Sequence, residues 1–191
     1  GPGLRERHGA PYYVLHRADL QTLLLDAVRG RPGIRLCVGR EVSDVTETAD
    51  GISLTMKSID GDRSERLSAD LLVGADGVHS RVRAALFGDD KPVFSGALAW
   101  RGVIPAERLP AHLCEPYGVN WVGPGAHVIH YPLRRGKLVN FVGILERDDW
   151  QIESWTQQGS VDECARDFAG WHEDVQTLIR SLETPFKWAL M

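Results

Sequence analysis

Three side chains in one short segment could move a proton. Between Ala126 and Leu133 the chain carries His127, His130 and Tyr131. On a strand, positions i and i+4 share a face, so His127 and Tyr131 look one way and His130 the other. The two Cα atoms then lie roughly 13 Å apart, and a small ring fits between their side chains. An imidazole with a pKa of about 6.5 takes a proton at neutral pH. The plainer reading of His127 is a structural strand histidine. A metal site is a poor reading, because His127 and His130 diverge and no carboxylate or cysteine stands at ligand spacing.

A second chemical stretch is "LLVGADGVHSRVR", residues 71–83. An apolar run ends on Gly74 and Ala75, then Asp76-Gly77 leads into three basic residues, His79, Arg81 and Arg83. A buried strand that runs into a tight turn at the carboxyl end of a parallel sheet is where α/β folds bind ligands. Gly74 and Gly77 allow close backbone approach or a positive φ. Asp76 can accept hydrogen bonds from sugar hydroxyls. Free N–H groups of a helix from Ser80 to Phe87 would favour phosphates. The competing reading is an Asp-Gly turn capped by Ser80, with solvated arginines. The stretch is neither a GxGxxG nor a GxSxG elbow.

These residues need elements to hold them. Leu20, Leu23, Leu24 and Ala27 recur at helical spacing, which predicts a helix from about Arg17 to Gly30, stopped by Pro32-Gly33. Short strands are expected over Ile34–Val38 and Arg40–Glu47. Ile52, Leu54 and Met56 alternate with polar residues, predicting a half-buried strand that Asp60-Gly61 turns into a hairpin. Asp70–Ala75 lacks alternation and reads as a strand buried on both faces of a parallel sheet. Beyond Pro92 the texture changes. Val93–Ile104, Tyr117–Val122, Ala126–Leu133 and Lys137–Glu146 read as a mostly antiparallel sheet, followed by helices over Val161–Trp171 and Glu173–Leu182. The boundary between the two halves falls near Asp89 to Pro92.

The 191 residues are 43% hydrophobic and 25% charged, an ordinary globular composition. A net charge of -4 gives no support to a nucleic-acid partner. No apolar run approaches the roughly 18 residues that span a bilayer. Cys37, Cys114 and Cys164 form no zinc or disulfide spacing and fit a reducing, cytoplasmic setting. The chain reads as a middle piece of something longer. It starts Gly1-Pro2-Gly3 without a methionine and stops at Phe186–Met191, which reads as the opening of a strand.

Two more segments, "YVLHRADLQTLLLDAV" at 13–28 and "GPGAHVIHYPLRRGKLVNFVG" at 123–143, join "GADGVHSRVR" in a fixed order. With them the chain resembles the group A flavoprotein aromatic hydroxylases, in the branch of salicylate hydroxylase, 3-hydroxybenzoate 6-hydroxylase and 6-hydroxynicotinate 3-monooxygenase. The resemblance implies an α/β fold: a partial, p-hydroxybenzoate-hydroxylase-like FAD-binding domain over 1–91 that lacks the GxGxxG unit. A mostly antiparallel substrate-binding sheet with helices would follow over 92–184, and 185–191 would start a strand returning to the FAD domain. It implies Arg17, Gln21, Val42, Asp76 and Gly77 as FAD contacts, with Asp76-Gly77 also serving the nicotinamide cofactor. His127 would contact a substrate phenol and Tyr131 the same substrate. Arg101 has the fork geometry to meet a substrate carboxylate. The implied reaction is hydroxylation of a phenolic aromatic acid with NAD(P)H and O2 by way of a C4a-hydroperoxyflavin. The implied partners are a small aromatic substrate and O2, with no nucleic acid, membrane or metal, and a homodimer is compatible with the family. Two other readings stay open: a non-catalytic ligand-binding fragment, and a related flavoprotein acting on a lipid.

Overall fold

The computed structural model describes residues 2–147, 149 and 157–191. Two compact units emerge, one of residues 25–93 and one of residues 1–24 with 94–191. The division falls within a helix. A short α1 (Pro2–His8) is followed by α2 (Arg17–Arg29), as the leucine spacing predicts. The stripe that defines α2 is largely uncovered, with Leu23 64% and Leu24 58% exposed.

In the smaller unit, β1 (Arg40–Thr48), β2 (Gly51–Ser58) and β3 (Ser64–Ala69) form an antiparallel meander in the order β1-β2-β3. Leu54 and Met56 are buried, as their alternation requires. A bulge between Val42 and Asp44 breaks the β1–β2 register. Helix α3 (Arg81–Phe87) packs on β1 and ends at Gly88. Two expected strands are corrected here. Residues 34–38 and 70–75 form no ladder, and Val38, Leu71 and Val73 are each 76% exposed. A strand exists only where its N–H and C=O groups meet a neighbour's. Among the described residues no strand lies beside either segment, so the parallel sheet expected at 70–75 is not seen among them.

In the larger unit, β4 (Ala97–Pro105), β5 (Val119–Gly123), β6 (Ala126–Leu133), β7 (Leu138–Glu146) and β8 (Phe186–Ala189) form one antiparallel sheet, ordered β5-β6-β7-β4-β8. Residues 185–191, expected to start a return toward the cofactor half, supply β8, which pairs with β4 from Leu98↔Ala189 to Arg101↔Phe186. Helices α4 (Val161–Asp167) and α5 (Glu173–Arg180) cover one face. The pleat sends Leu98, Trp100, Val128 and Phe141 into that core, against Phe168, Leu178 and Ile179. Gly143 lets the sheet and the helical layer approach closely, since a Cβ there would lie 2.6 Å from Phe168 Cζ. Lys187 is buried on this side, ion-paired with Glu163 and set over the Trp100 ring.

His130 points away from His127 and Tyr131, as expected, and is buried on the helical side, where its Nδ1 accepts the indole N–H of Trp121 at 3.2 Å. Alternate residues Arg101, His127, Tyr131, Asn140 and Trp188 face away from the helices. Among the described residues no helix is long and apolar enough to cross a membrane.

Candidate functional site

The sheet face away from the helices carries a cavity of about 650 Å³ near the start of α2. Strands β4, β6, β7 and β8 deliver Arg101, Tyr131, Asn140 and Trp188 to it, and the approach to α2 adds His16 and Arg17. Asn140 and Tyr131 are directly opposed on β7 and β6. The Arg101 guanidinium lies 4.8 Å from the centre of the Trp188 ring, within cation–π range. Half-burial pulls Arg101 below its ordinary pKa; Tyr131 opposes this and Arg17 adds to it. Among the described residues no carboxylate pairs with Arg101. Glu183 lines the same cavity, but its carboxylate is taken by Arg108. Two buried nitrogens here have no hydrogen-bond partner, Nδ1 of His16 and Nδ2 of Asn140. The Asn140 nitrogen can only donate, whereas the His16 nitrogen donates or accepts with its tautomer.

Arg134, in the β6–β7 turn, holds the start of α2. It donates from Nε to Asp19 Oδ2 at 2.8 Å and from Nη2 to Oδ1 at 2.6 Å. Asp19 lies two residues beyond Arg17, so this clamp fixes how Arg17 is presented. Gln21, expected to face the same ligand, is exposed and does not line the cavity.

His127 shares its face with Tyr131 but not its cavity. It lines a separate hollow of about 440 Å³ with Asn120, Val122, Ile144 and Glu146. Ile129 lies between the two on the same face of β6. The expected pair thus occupies two neighbouring hollows of one surface.

In the smaller unit, a cavity of about 640 Å³ gathers Arg40, Val42, Asp76, His79, Arg81 and Arg83, with Glu41, Asp89 and Asp90. Asp76 accepts hydrogen bonds from Ser80 Oγ at 2.6 Å, Arg81 N at 2.7 Å and Val82 N at 3.3 Å. The Ser80 hydroxyl, then the backbone donors, hold its carboxyl below the usual range against desolvation. Ser80 Oγ accepts from Arg83 N at 2.9 Å. The amides expected to be free for phosphates are therefore used inside the protein, as in the capped-turn reading, but Arg83 is not merely solvated: its Nη2 donates to Val78 O at 2.6 Å. The rim still offers guanidinium donors and carboxylate acceptors. Gly77 takes φ 82°, a left-handed turn that favours glycine.

Sequence reasoning overlooked Asn140, His16, Phe186 and Trp188 as cavity residues. Only Asn140 left a trace: a carboxamide between Val139 and Phe141 in an otherwise apolar strand. Among the described residues no cluster of three His, Cys, Asp or Glu could hold a metal ion.

Comparison with known proteins joins these features. The 3-amino-4-hydroxybenzoate 2-monooxygenase PtnB3 of Streptomyces platensis is 39% identical over 194 residues, covering 100% of this chain and 46% of that protein. The 3-hydroxybenzoate 6-hydroxylase of Klebsiella oxytoca is 31% identical over 191 residues, covering 98% of this chain and 45% of that one. The crystal structure of Klebsiella pneumoniae HpxO, complexed with FAD and uric acid, aligns with a TM-score of 0.79 at 28% identity, covering 99% of this chain and 46% of its own. The chain thus spans about half the length of the curated relatives it matches. A family model described as an FAD binding domain matches residues 4–184, nearly the whole chain, and the chain belongs to that family.

Proposed function

We propose that this chain is the central part of a flavoprotein monooxygenase that hydroxylates a phenolic aromatic acid, using FAD, NAD(P)H and O2. Residues 1–91 form part of the FAD-binding domain and 92–184 the substrate sheet, with 185–191 leading back from it. The protein works in the cytoplasm. The observation that carries the reading is the sheet face itself: an imidazole, a phenol, a guanidinium and a carboxamide, all turned away from the helical core.

The residues present fit the cofactor. Asp76 and the arginines of its rim can meet sugar hydroxyls and phosphates, and Val42 borders the same cavity. In the other unit, Arg17 and the unpartnered Nδ1 of His16 offer polar contacts at the start of α2. Gln21 stands one helical turn on from Arg17. Bound FAD, once reduced by NAD(P)H, supplies the activation of O2.

The chain's own residues prepare the ring. His127 accepts the phenol proton at an imidazole nitrogen, and the phenolate pushes electron density into the ring carbons ortho and para to it. Tyr131, in the neighbouring hollow beyond Ile129, uses a hydrogen bond from its hydroxyl to hold the far end of a ring that bridges the two hollows. Ile129 and Ile144, both partly buried, lend that face apolar surface beside the ring.

The test is binding and turnover. FAD added to the purified chain should lose fluorescence and co-elute as a yellow complex. In the intact parent enzyme, adding 3-hydroxybenzoate should perturb the flavin spectrum and, with NADH, raise O2 consumption; the chain alone is expected to be inactive. A chain that takes up neither flavin nor hydroxylated ring does not have this function. One that binds the ring without flavin is a ligand-binding protein.

A further inference from the structure

We propose that the buried ion pair of Lys187 and Glu163 is a register lock, which fixes β8 on β4 and so positions Phe186 and Trp188 in the cavity wall on the opposite face; this rests on the reading of that face as a substrate surface.

Strand β8 is four residues long and lies at the end of the sheet order. Its backbone hydrogen bonds would form equally well in a shifted register, because N–H and C=O groups repeat along every strand. Side chains must tell the registers apart. Phe186, Trp188 and Ala189 are all apolar, so hydrophobic patterning does not decide which face of β8 turns to the core. Lys187 decides it. The residue is 2% exposed and stands opposite Trp100 of β4, with its ammonium 5.3 Å from the centre of the indole. The ammonium ends on the carboxylate of Glu163, in the first turn of α4.

Stability gives no reason for this pair. Apolar residues of similar volume in its place are often neutral or stabilising, whereas either charge buried alone is costly. A buried ion pair is best accounted for where it selects one arrangement among several. Glu163 is held from its own side: Ser160 caps α4 by accepting from Glu163 N at 3.0 Å. A shift of β8 by one residue would turn Lys187 to the cavity face and Trp188 to the core. A shift by two would carry the ammonium about 7 Å along β4. Either shift separates the charges. In the observed register Phe186 lies opposite Arg101 and Trp188 opposite Ala99, so the Trp188 ring reaches the Arg101 guanidinium on the diagonal. Phe186 and Trp188 both line the cavity. Lys187 and Glu163 touch no substrate; they act through the two aromatic residues.

The experiment compares the parent chain with Lys187→Met/Glu163→Leu, which removes both charges and keeps the core filled. Cross-strand nuclear Overhauser contacts in the full chain read the register, and urea unfolding reads stability. The parent should show Ala99 beside Trp188 and Arg101 beside Phe186, and no other pairing of β8. The double variant should unfold at the parent's urea midpoint or above it. It should nevertheless show a second set of contacts, with Trp188 beside a different residue of β4. Glu163→Gln alone should lower the midpoint, because a buried ammonium then faces a neutral partner. In the intact parent enzyme the double substitution should raise the dissociation constant of 3-hydroxybenzoate about threefold or more. That factor should equal the reciprocal of the fraction that keeps the parent register.

A single, unshifted register in the double variant overturns the proposal. So does a loss of ring affinity with the register unchanged. A double variant that does not fold makes the pair purely structural and overturns it as well. An intact parent enzyme that binds no hydroxylated ring overturns the function proposed above, whereas the contacts of β8 in the two chains decide the lock by themselves.

Discussion

Arg134 grips Asp19 through two parallel hydrogen bonds across 115 positions of sequence, tying the β6–β7 turn to the first turn of α2. The clamp comes at a conformational cost. Arg134 and Arg135 take φ 49° and 58°, left-handed values that L-residues other than glycine and asparagine avoid. Both charged groups are largely solvated, so the pair adds little to global stability. Its effect is on presentation. Arg134→Ala should leave the unfolding midpoint nearly unchanged and weaken FAD binding several-fold, by loosening Arg17. Flavin fluorescence titration alongside urea unfolding separates the two. A large fall in stability with unaltered flavin affinity would show the clamp to be purely structural.

In the intact parent enzyme, His127→Ala should lower turnover of a hydroxybenzoate by roughly 10²–10⁴-fold, the usual range for a lost general base. FAD binding should persist, because His127 lies on the sheet face and not among the cofactor residues proposed here. The deficit should shrink as pH rises and the phenol ionises unaided. Steady-state rates from neutral to alkaline pH provide the check, and a deficit that does not change with pH would remove His127 as the base.

His130 makes stability depend on pH with a defined sign. Burial lowers its pKa from the ordinary value, Asp174 opposes this and His112 adds to it. Its Nδ1 accepts from Trp121, so the neutral ring carries its proton on Nε2. Above about pH 6.5 the folded and unfolded chains are both neutral here, and the group adds no pH dependence. Below that value the unfolded chain binds a proton that the folded one resists, so stability falls as pH falls. Tm measured from pH 7.5 to 5 should drop less steeply in His130→Gln than in the parent. Parallel curves would assign the acid sensitivity to other groups.

Gly143→Ala should destabilise the larger unit by about 1–3 kcal/mol, the usual cost of overpacking a tight core. The added methyl would meet the Phe168 ring end-on at 2.6 Å. Phe168→Leu should lose stability alone yet recover part of it in combination with Gly143→Ala. Urea unfolding of the four proteins gives the coupling, and strict additivity would mean that the two positions do not touch.

Much of this architecture is readable from residue order, and the failures have a common cause. Strand β6 falls at Ala126–Leu133 and α2 at Arg17–Arg29, because alternation and leucine spacing are local signals. Residues 34–38 and 70–75 carry apolar runs just as clear, yet pairing depends on a neighbour the segment itself does not specify. The site divides the same way. Period-two alternation puts His127 and Tyr131 on one face, but the hollow each one lines is set by β4, β5, β7 and β8 and by Ile129 between them. Asp76 reads as a ligand residue from its motif, and the hydrogen bond it accepts from Ser80 four residues later becomes visible only in the folded turn. The unpaired amide of Asn140 is invisible until its neighbours on three strands are known.

The pairing of Leu98 with Ala189 also sets an order of events during synthesis. Strand β4 leaves the ribosome long before its edge partner exists, and Arg101 must wait for Trp188 before it has a ring to rest on. A nascent chain halted short of Phe186 would present a bare sheet edge and a half-walled hollow, a form that invites chaperone capture. The contact of Arg101 with the Trp188 ring is thereby complete only in molecules whose translation has run past β8.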